Sequence, residues 1–435
     1  MSPRLQRVVL CLWLIGVPAL ILPWPMKPIM WDSRDLQAAG LPSLALIATA
    51  LAWWHFRGPL RWFGLFLAYI GLNVILNGFR PVWASSVSGA ICAGILFVLI
   101  VGVDKIHSRL PSIFALMGAI HLALFVLGRV WVDLIEFIFF LGEKNPQPLG
   151  SSGLADNPNL SSAMLAMALP WMVLWWYRLS RRPPTSPHRS SRAITVVISM
   201  SRGASMWDLT MSMTSSWEVA FILGVPLVIV PITLWALLSW KASAGVGAVL
   251  FGAAVACIAA GIRPWKAISA ATIPLLAYLS YDPPTAMSHW GRFTAWKWAA
   301  LEPLQHWWTI LLGHGVGSWA VFTIGKTRGI GVYYHEAHND FLQAFFELGY
   351  IGLALLLFLL GACFLAFWMQ RHTGVGIAGL ASLSAWVGSS FWYFPLYTAA
   401  LGGIGVGLIL MAHGCYKATD LHQTQTMRPL PSPNS

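Results

Sequence analysis

The chain has 435 residues, of which 57% are hydrophobic and only 10% charged, against roughly 25% charged in an ordinary soluble domain. A soluble globule of this length cannot hide so much apolar surface and keep a wettable exterior, and a disordered or fibrous chain is excluded for the same reason. Lys plus Arg exceed Asp plus Glu by 27 − 15 = 12. Among long apolar runs that excess reads as the basic bias of cytoplasmic loops, not as a nucleic-acid surface.

Continuous apolar runs, in place of short alternating strands, predict an all-α fold. The expected form is a polytopic transmembrane helical bundle of about 12–14 spans with one larger periplasmic loop region. Arg4 and Arg7 precede the apolar run 8–22, and no small-x-small cleavage site follows. This predicts an uncleaved first helix with a cytoplasmic N-terminus. Residues 1–178 then form an N-terminal transmembrane block, with spans expected at 8–25, 38–56, 60–79, 84–103, 110–128 and 158–177. Under that count Arg57 and Arg61, then Lys105 and Arg109, face the cytoplasm, while residues 129–157 face outward. Residues 179–192 carry Arg181, Arg182, Arg189 and Arg192 with no acid and read as a basic cytoplasmic loop.

Residues 193–281 form a central transmembrane block of three or five crossings, with Arg263 and Lys266 in a cytoplasmic turn. Residues 282–340 hold five of the twelve His and six Trp. They are the longest stretch without a clear span and are expected to be the periplasmic loop region that carries the functional groups. The C-terminal block, residues 341–417, re-enters at 341–369, turns at Arg371 and His372, crosses at 376–394 and returns at 398–416. The tail 418–435 is expected to be cytoplasmic, polar from Thr419 and disordered.

The five Cys show no CxxC or zinc spacing, which argues against a disulfide framework or a metal cluster. His335-Glu336-Ala337-His338 is one residue short of H-E-x-x-H and has no evident third ligand. No metal and no cofactor are expected. Gly313, Gly315 and Gly317 form G-x-G-x-G without a βαβ context, so a flexible turn ahead of Trp319 is the default over a nucleotide site. Arg202, in Ser201-Arg202-Gly203-Ala204, lies beside apolar sequence and either snorkels to headgroups or binds an anion at the outer membrane edge. Arg292, in His289-Trp290-Gly291-Arg292, has the same two readings, solvated or anion-binding. His338 sits at a loop-to-helix junction, as a plain polar rim residue or as a general base titrating near neutrality. Asn339 or Asp340 is a candidate cap for a helix beginning near Phe341. Glu347, inside the next span, has to be paired or face a cavity, and is expected to orient a neighbour.

Taken in order, "SRGA" at 201–204, "WGRFTAWKWA" at 290–299, "LLGHGVGSW" at 311–319, "HEAHNDFLQAFFELGYIGL" at 335–353 and "FWYFPLYTAALGGIGVGLIL" at 391–410 resemble the O-antigen ligase and O-antigen polymerase superfamily of bacterial inner-membrane glycosyltransferases. "NPNLSSAMLAMALP" at 157–170 resembles an additional upstream element. The resemblance covers roughly residues 157–410 and is most specific in the AHNDFLQ block. It implies a metal-independent transferase in the bacterial inner membrane, with both termini cytoplasmic and the site facing the periplasm. The donor is a glycan on undecaprenyl diphosphate. The acceptor is lipid A–core in the ligases of lipopolysaccharide biosynthesis, a second carrier-linked repeat unit in the polymerases, and a pilin in related O-oligosaccharyltransferases. Arg202 and Arg292 match the family's motif Arg positions and are expected to bind the diphosphate. His338 matches the motif His and is expected to act as the base or to orient the acceptor. His335, Asn339 and Glu347 are expected to be supporting at most. A membrane transporter, the reading from a different class, predicts inverted repeats and paired mid-membrane carboxylates, and neither is visible in the sequence.

Overall fold

The computed structural model describes residues 57–77, 109–130, 158–180, 229, 231–237, 243–281, 286–327, 336–391 and 399–426. The spans expected at 8–25, 38–56 and 84–103, most of the basic loop 179–192, Arg202 and His335 lie outside the described residues. What is described is all-α, with no strand among it. The helices are α1 (Pro59–Asn77), α2 (Leu110–Val130), α3 (Pro158–Ser180), α4 (Ser243–Ala259), α5 (Pro264–Tyr281), α6 (Ala286–Leu301), α7 (Trp307–Leu312), α8 (Ser318–Thr327), α9 (Asp340–Met369), α10 (Gly374–Ser390) and α11 (Ala399–Thr426). The expected apolar runs and the observed helices agree to within a few residues over α1 to α3 and α9, and of the described helices α9 alone is long and apolar enough to cross a membrane by length and composition.

Two expectations change. Within 282–340, the described residues 286–327 are largely helical, comprising α6, a 3₁₀ turn at Glu302–Gln305, α7 and α8. These helices are too short and too polar to register as spans, which is why the stretch reads as a loop. The last helix also runs on to Thr426, into the tail expected to be disordered. Thr419 is held there: Gln370 Nε2 donates to its hydroxyl at 2.8 Å, and the hydroxyl donates to the Cys415 carbonyl at 3.1 Å. The polar extension thus rests against the end of α9.

α9 is the centre of the arrangement and touches α1, α6, α7, α8, α10 and α11. A second group, α3, α4 and α10, packs through small residues, with Ala378, Ala381 and Ala385 of α10 buried. Ser382 Oγ donates to the Met167 carbonyl at 2.7 Å, tying α10 to α3.

α9 begins at a cap and breaks once. Asn339 is its N-cap, and its side chain accepts from the Phe341 and Leu342 amides. Gly349 interrupts it with φ 66°, a left-handed conformation that favours glycine. Such a break frees carbonyls and amides that must find other partners. Tyr69 of α1 donates its hydroxyl to the Leu348 carbonyl at 2.7 Å. From the other side, the His314 and Gly315 amides donate to the Phe346 and Glu347 carbonyls, both at 2.9 Å. Asn73 of α1, fully buried, donates to the Leu312 carbonyl at the end of α7. The G-x-G-x-G segment is therefore bonded backbone-to-backbone against the break in α9, and is not a flexible turn. After the break, about 20 residues of α9 remain, a length of about 30 Å at 1.5 Å per residue.

Neighbour contacts fix the direction of each helix. Gly58 lies against Tyr416, Gly374 against Leu174, Gly118 against Ala168 and Met172, and Gly388 against Ala248 and Phe251. With the Gln370–Thr419 bond, these contacts bring Arg57, Arg61, Arg109, Arg178, Arg263, Lys266, Arg371 and Lys417 to one end of the structure. At the opposite end lie Asn339 and the end of α10, joined by Asn339 Nδ2 donating to the Phe391 carbonyl at 3.3 Å. Phe341 and Phe391 also meet there, with ring centroids 5.0 Å apart.

Candidate functional site

The site lies at this second end, where α6, α8 and the start of α9 converge. Arg292, Ala295 and Ala299 share one face of α6 by helical spacing. The two alanines are fully buried in a small cluster with Trp319, Ala337 and Phe346, and Trp298, Phe322 and Leu342 pack around it. Because alanines occupy that face, α6 approaches closely enough for Arg292 to come beside the residue after Ala337, which is His338. The proximity has an electrostatic signature. Burial first, and then the Arg292 guanidinium, pull the His338 imidazole down to about 4. Arg292 is itself half-buried, and desolvation alone lowers its pKa. No carboxylate among the described residues forms an ion pair with it.

His338 has φ 53° and is the sole non-glycine residue with positive φ among those described. Such a backbone costs about 1–3 kcal/mol and persists only where its surroundings over-determine it. The flanking residues do so. On one side the Ala337 amide, fully buried, donates to Gln343 Oε1 at 2.9 Å. On the other, Asn339 Oδ1 accepts from the Phe341 amide at 3.1 Å and the Leu342 amide at 3.0 Å. Asn339→Ala removes this cap and is expected to lower stability by about 1 kcal/mol, while Asn339→Ser, which keeps a capping oxygen, recovers most of it. Thermal unfolding of the purified protein reads both.

Glu347 is 1% exposed. Its Oε1 accepts from Gln343 Nε2 at 3.3 Å and from the Trp319 amide at 3.4 Å. Three segments, namely the start of α8, the first turns of α9 and the residue before His338, are thereby tied through one buried carboxylate. His314 adds a contact, its ring stacked on Phe346 at a centroid distance of 4.5 Å.

Glu336, two residues before His338, is half-buried, and burial pushes its carboxyl up to about 7. A carboxyl whose folded-state pKa lies above its unfolded value of 4.5 stabilises the fold fully below that value. The contribution is lost as pH rises through about 7. Glu336→Gln is therefore expected to raise stability over wild type by about 1–3 kcal/mol at pH 8 and to leave it unchanged at pH 4. His338 runs the other way. Its folded-state pKa is depressed, so its contribution is present above 6.5 and lost as pH falls towards about 4. Unfolding midpoints from pH 4 to 9 resolve the two limbs.

Of the residues singled out from sequence, Arg292 lies near enough to His338 to act on its charge, Asn339 caps α9, and Glu347 is hydrogen-bonded to Gln343 and the Trp319 amide. Arg202 and His335 lie outside the described residues. Among the described residues no three His, Cys, Asp or Glu side chains gather as a metal-ligand set. Sequence reasoning missed Gln343 and the Tyr69–Asn73 pair, and read Gly313 as part of a flexible turn. Gln343 and Glu347, four apart in an otherwise apolar helix, are the one legible signal, since i, i+4 side chains meet. No protein-family model matches the chain, and no curated protein matches it either.

Proposed function

We propose that the protein is a polytopic inner-membrane glycosyltransferase that moves a glycan from undecaprenyl diphosphate to lipid A–core at the periplasmic face. The observation that carries this reading is the pair Arg292 and His338: a desolvated cation with no carboxylate partner among the described residues, near a neutral imidazole held in a strained backbone. Arg292 supplies planar, bidentate donors for a phosphate oxygen. The acceptor hydroxyl attacks the anomeric carbon, the bond from that carbon to the diphosphate oxygen breaks, and undecaprenyl diphosphate leaves. The hydroxyl proton passes to the His338 imidazole, which is neutral at physiological pH. Diphosphate bound against Arg292 offsets the cation that depresses His338, so the imidazole becomes more basic when the donor is in place.

The arrangement of charge supports the topology. Basic residues of six helix ends or turns collect at one end, as expected for a cytoplasmic side, and the Arg292–His338 pair is at the other. One described helix, Asp340–Met369, is long and apolar enough to cross a membrane. At its basic end Arg371 lies over the Trp368 ring, 5.0 Å from the centroid, as anchors at a bilayer interface do. Large apolar side chains such as Trp265, Ile273, Phe358 and Leu365 are exposed on the outer surface, which suits lipid as the surrounding solvent.

The test is reconstitution of the purified chain in liposomes with an undecaprenyl-diphosphate glycan and lipid A–core. Capped lipopolysaccharide is the product expected. Joined carrier-linked glycan, with the core left bare, would replace the proposed acceptor with a second carrier-linked unit. No consumption of the donor would end the transferase reading.

A further inference from the structure

We propose that Gln343 and Glu347 are positioning residues that hold the His338 backbone in its left-handed conformation through the Ala337 amide. The proposal rests on His338 being the proton acceptor of the transfer reaction. The path is a chain of buried contacts. Glu347 Oε1 accepts from Gln343 Nε2, and Gln343 Oε1 accepts from the Ala337 N–H, which immediately precedes His338. Gln343 is 3% exposed, Glu347 1% and Ala337 fully buried. Water cannot replace a missing partner there without opening the cluster formed with Ala295, Ala299 and Trp319.

The chain fixes orientation as well as contact. The Gln343 amide has to present its oxygen to Ala337, because only an oxygen accepts from an N–H. Glu347 enforces that orientation, because its carboxylate oxygen accepts only from the amide nitrogen. The Trp319 amide, donating to Glu347 Oε1, ties this carboxylate to α8, and the carbonyl of Glu347 receives the Gly315 amide. His338 thus lies between two fixed points. Ala337 is held from Gln343, and Asn339 caps α9 and is bonded to the Phe391 carbonyl. Only the first of these depends on Gln343. Its removal frees residues 336–338 to relax towards negative φ while Asn339 keeps the helix start in place. The imidazole then swings away from Arg292 without loss of the fold.

Two variants test this. Gln343→Met keeps the side-chain volume and removes both bonds. It is expected to lower kcat by about 100-fold, the cost of a misplacement near 1 Å, with the KM for the carrier-linked glycan within about two-fold of wild type. Gln343→Glu keeps an acceptor for Ala337 but sets two carboxyls against each other at i, i+4. One must carry a proton to bridge to the other. Activity is then recovered at low pH and falls as that proton is lost on raising pH, an alkaline limb absent from wild type. A merely structural role would lower the unfolding temperature of both variants and produce no such limb.

Hydrogen exchange of the Ala337 amide, followed without any substrate, separates this proposal from the transferase reading. Faster exchange at Ala337 in Gln343→Met, with the amides of residues 343–348 still protected, supports the positioning role even if the wild-type protein transfers nothing. Equal exchange in the two proteins, or a wild-type kcat in Gln343→Met, overturns it.

Discussion

Replacing His338 by alanine is expected to lower glycan transfer in liposomes by about 10³-fold, within the range general-base catalysis contributes, and to leave the donor KM nearly unchanged. In the proposed mechanism the imidazole meets the acceptor's proton only as the new bond forms, so its loss falls on kcat. Arg292→Met is expected to act on both constants, because a guanidinium binds the diphosphate in the ground state and stabilises it further as charge gathers on the leaving group. Arg292→Lys restores charge but not the two-pronged geometry, and is expected to recover only part of the loss. Arg292→Met also removes one of the two causes that depress His338. The acid limb of kcat/KM against pH then moves upward, short of an ordinary imidazole because burial remains. A His338→Ala protein that transfers glycan at the wild-type rate would remove His338 from the mechanism.

The second large effect is expected from the break in α9. A Cβ on Gly349 would lie 2.3 Å from the Leu311 carbonyl oxygen and 2.6 Å from the Gly313 nitrogen, at φ 66°. One on Gly313 would lie 2.3 Å from the Glu347 backbone. The obstructing atoms are main chain and cannot rotate away. Gly349→Ala is expected to cost about 3–5 kcal/mol, in the range of substitutions that combine steric overlap with backbone strain, and to abolish transfer together with stability. Gly361 in the same helix is the internal control. Nothing lies within 4 Å of a Cβ there, and Gly361→Ala is expected to stabilise by about 0.5–1 kcal/mol. Thermal unfolding in detergent compares the two. Equal midpoints would show that the helix tolerates continuity at Gly349.

The part of the candidate site that was legible in sequence is the part governed by local chemistry. Asn339 is a good N-cap wherever an apolar run follows it. Glu347 in an apolar helix must have a partner, whichever it is. His338 and Arg292 stood out because their motifs resembled a family, yet nothing in their separation of 46 positions announced that one would act on the charge of the other. Ala295 and Ala299 let α6 approach closely, and two alanines in a Trp-rich helix carry no signal of their own. Gln343 was overlooked because an amide in a helix is unremarkable until the amide proton it receives is known. The helical character of 286–327 was missed because short helices with charges and histidines do not rise above the background of a hydropathy reading.

By itself the sequence determined that this chain is helical and where most of the long helices described here lie, because each continuous apolar run has to satisfy its own backbone locally. It also fixed which turns carry positive charge. Only the tertiary structure decided that those basic turns fall at one end, and that α9 is broken at Gly349 and sealed by Tyr69, His314 and Gly315. It alone brought Arg292 near His338, and joined Gln343 to the backbone that carries the histidine. These are contacts between segments distant in the chain, set by how closely two backbones can approach and by which buried amide or carbonyl still lacks a partner.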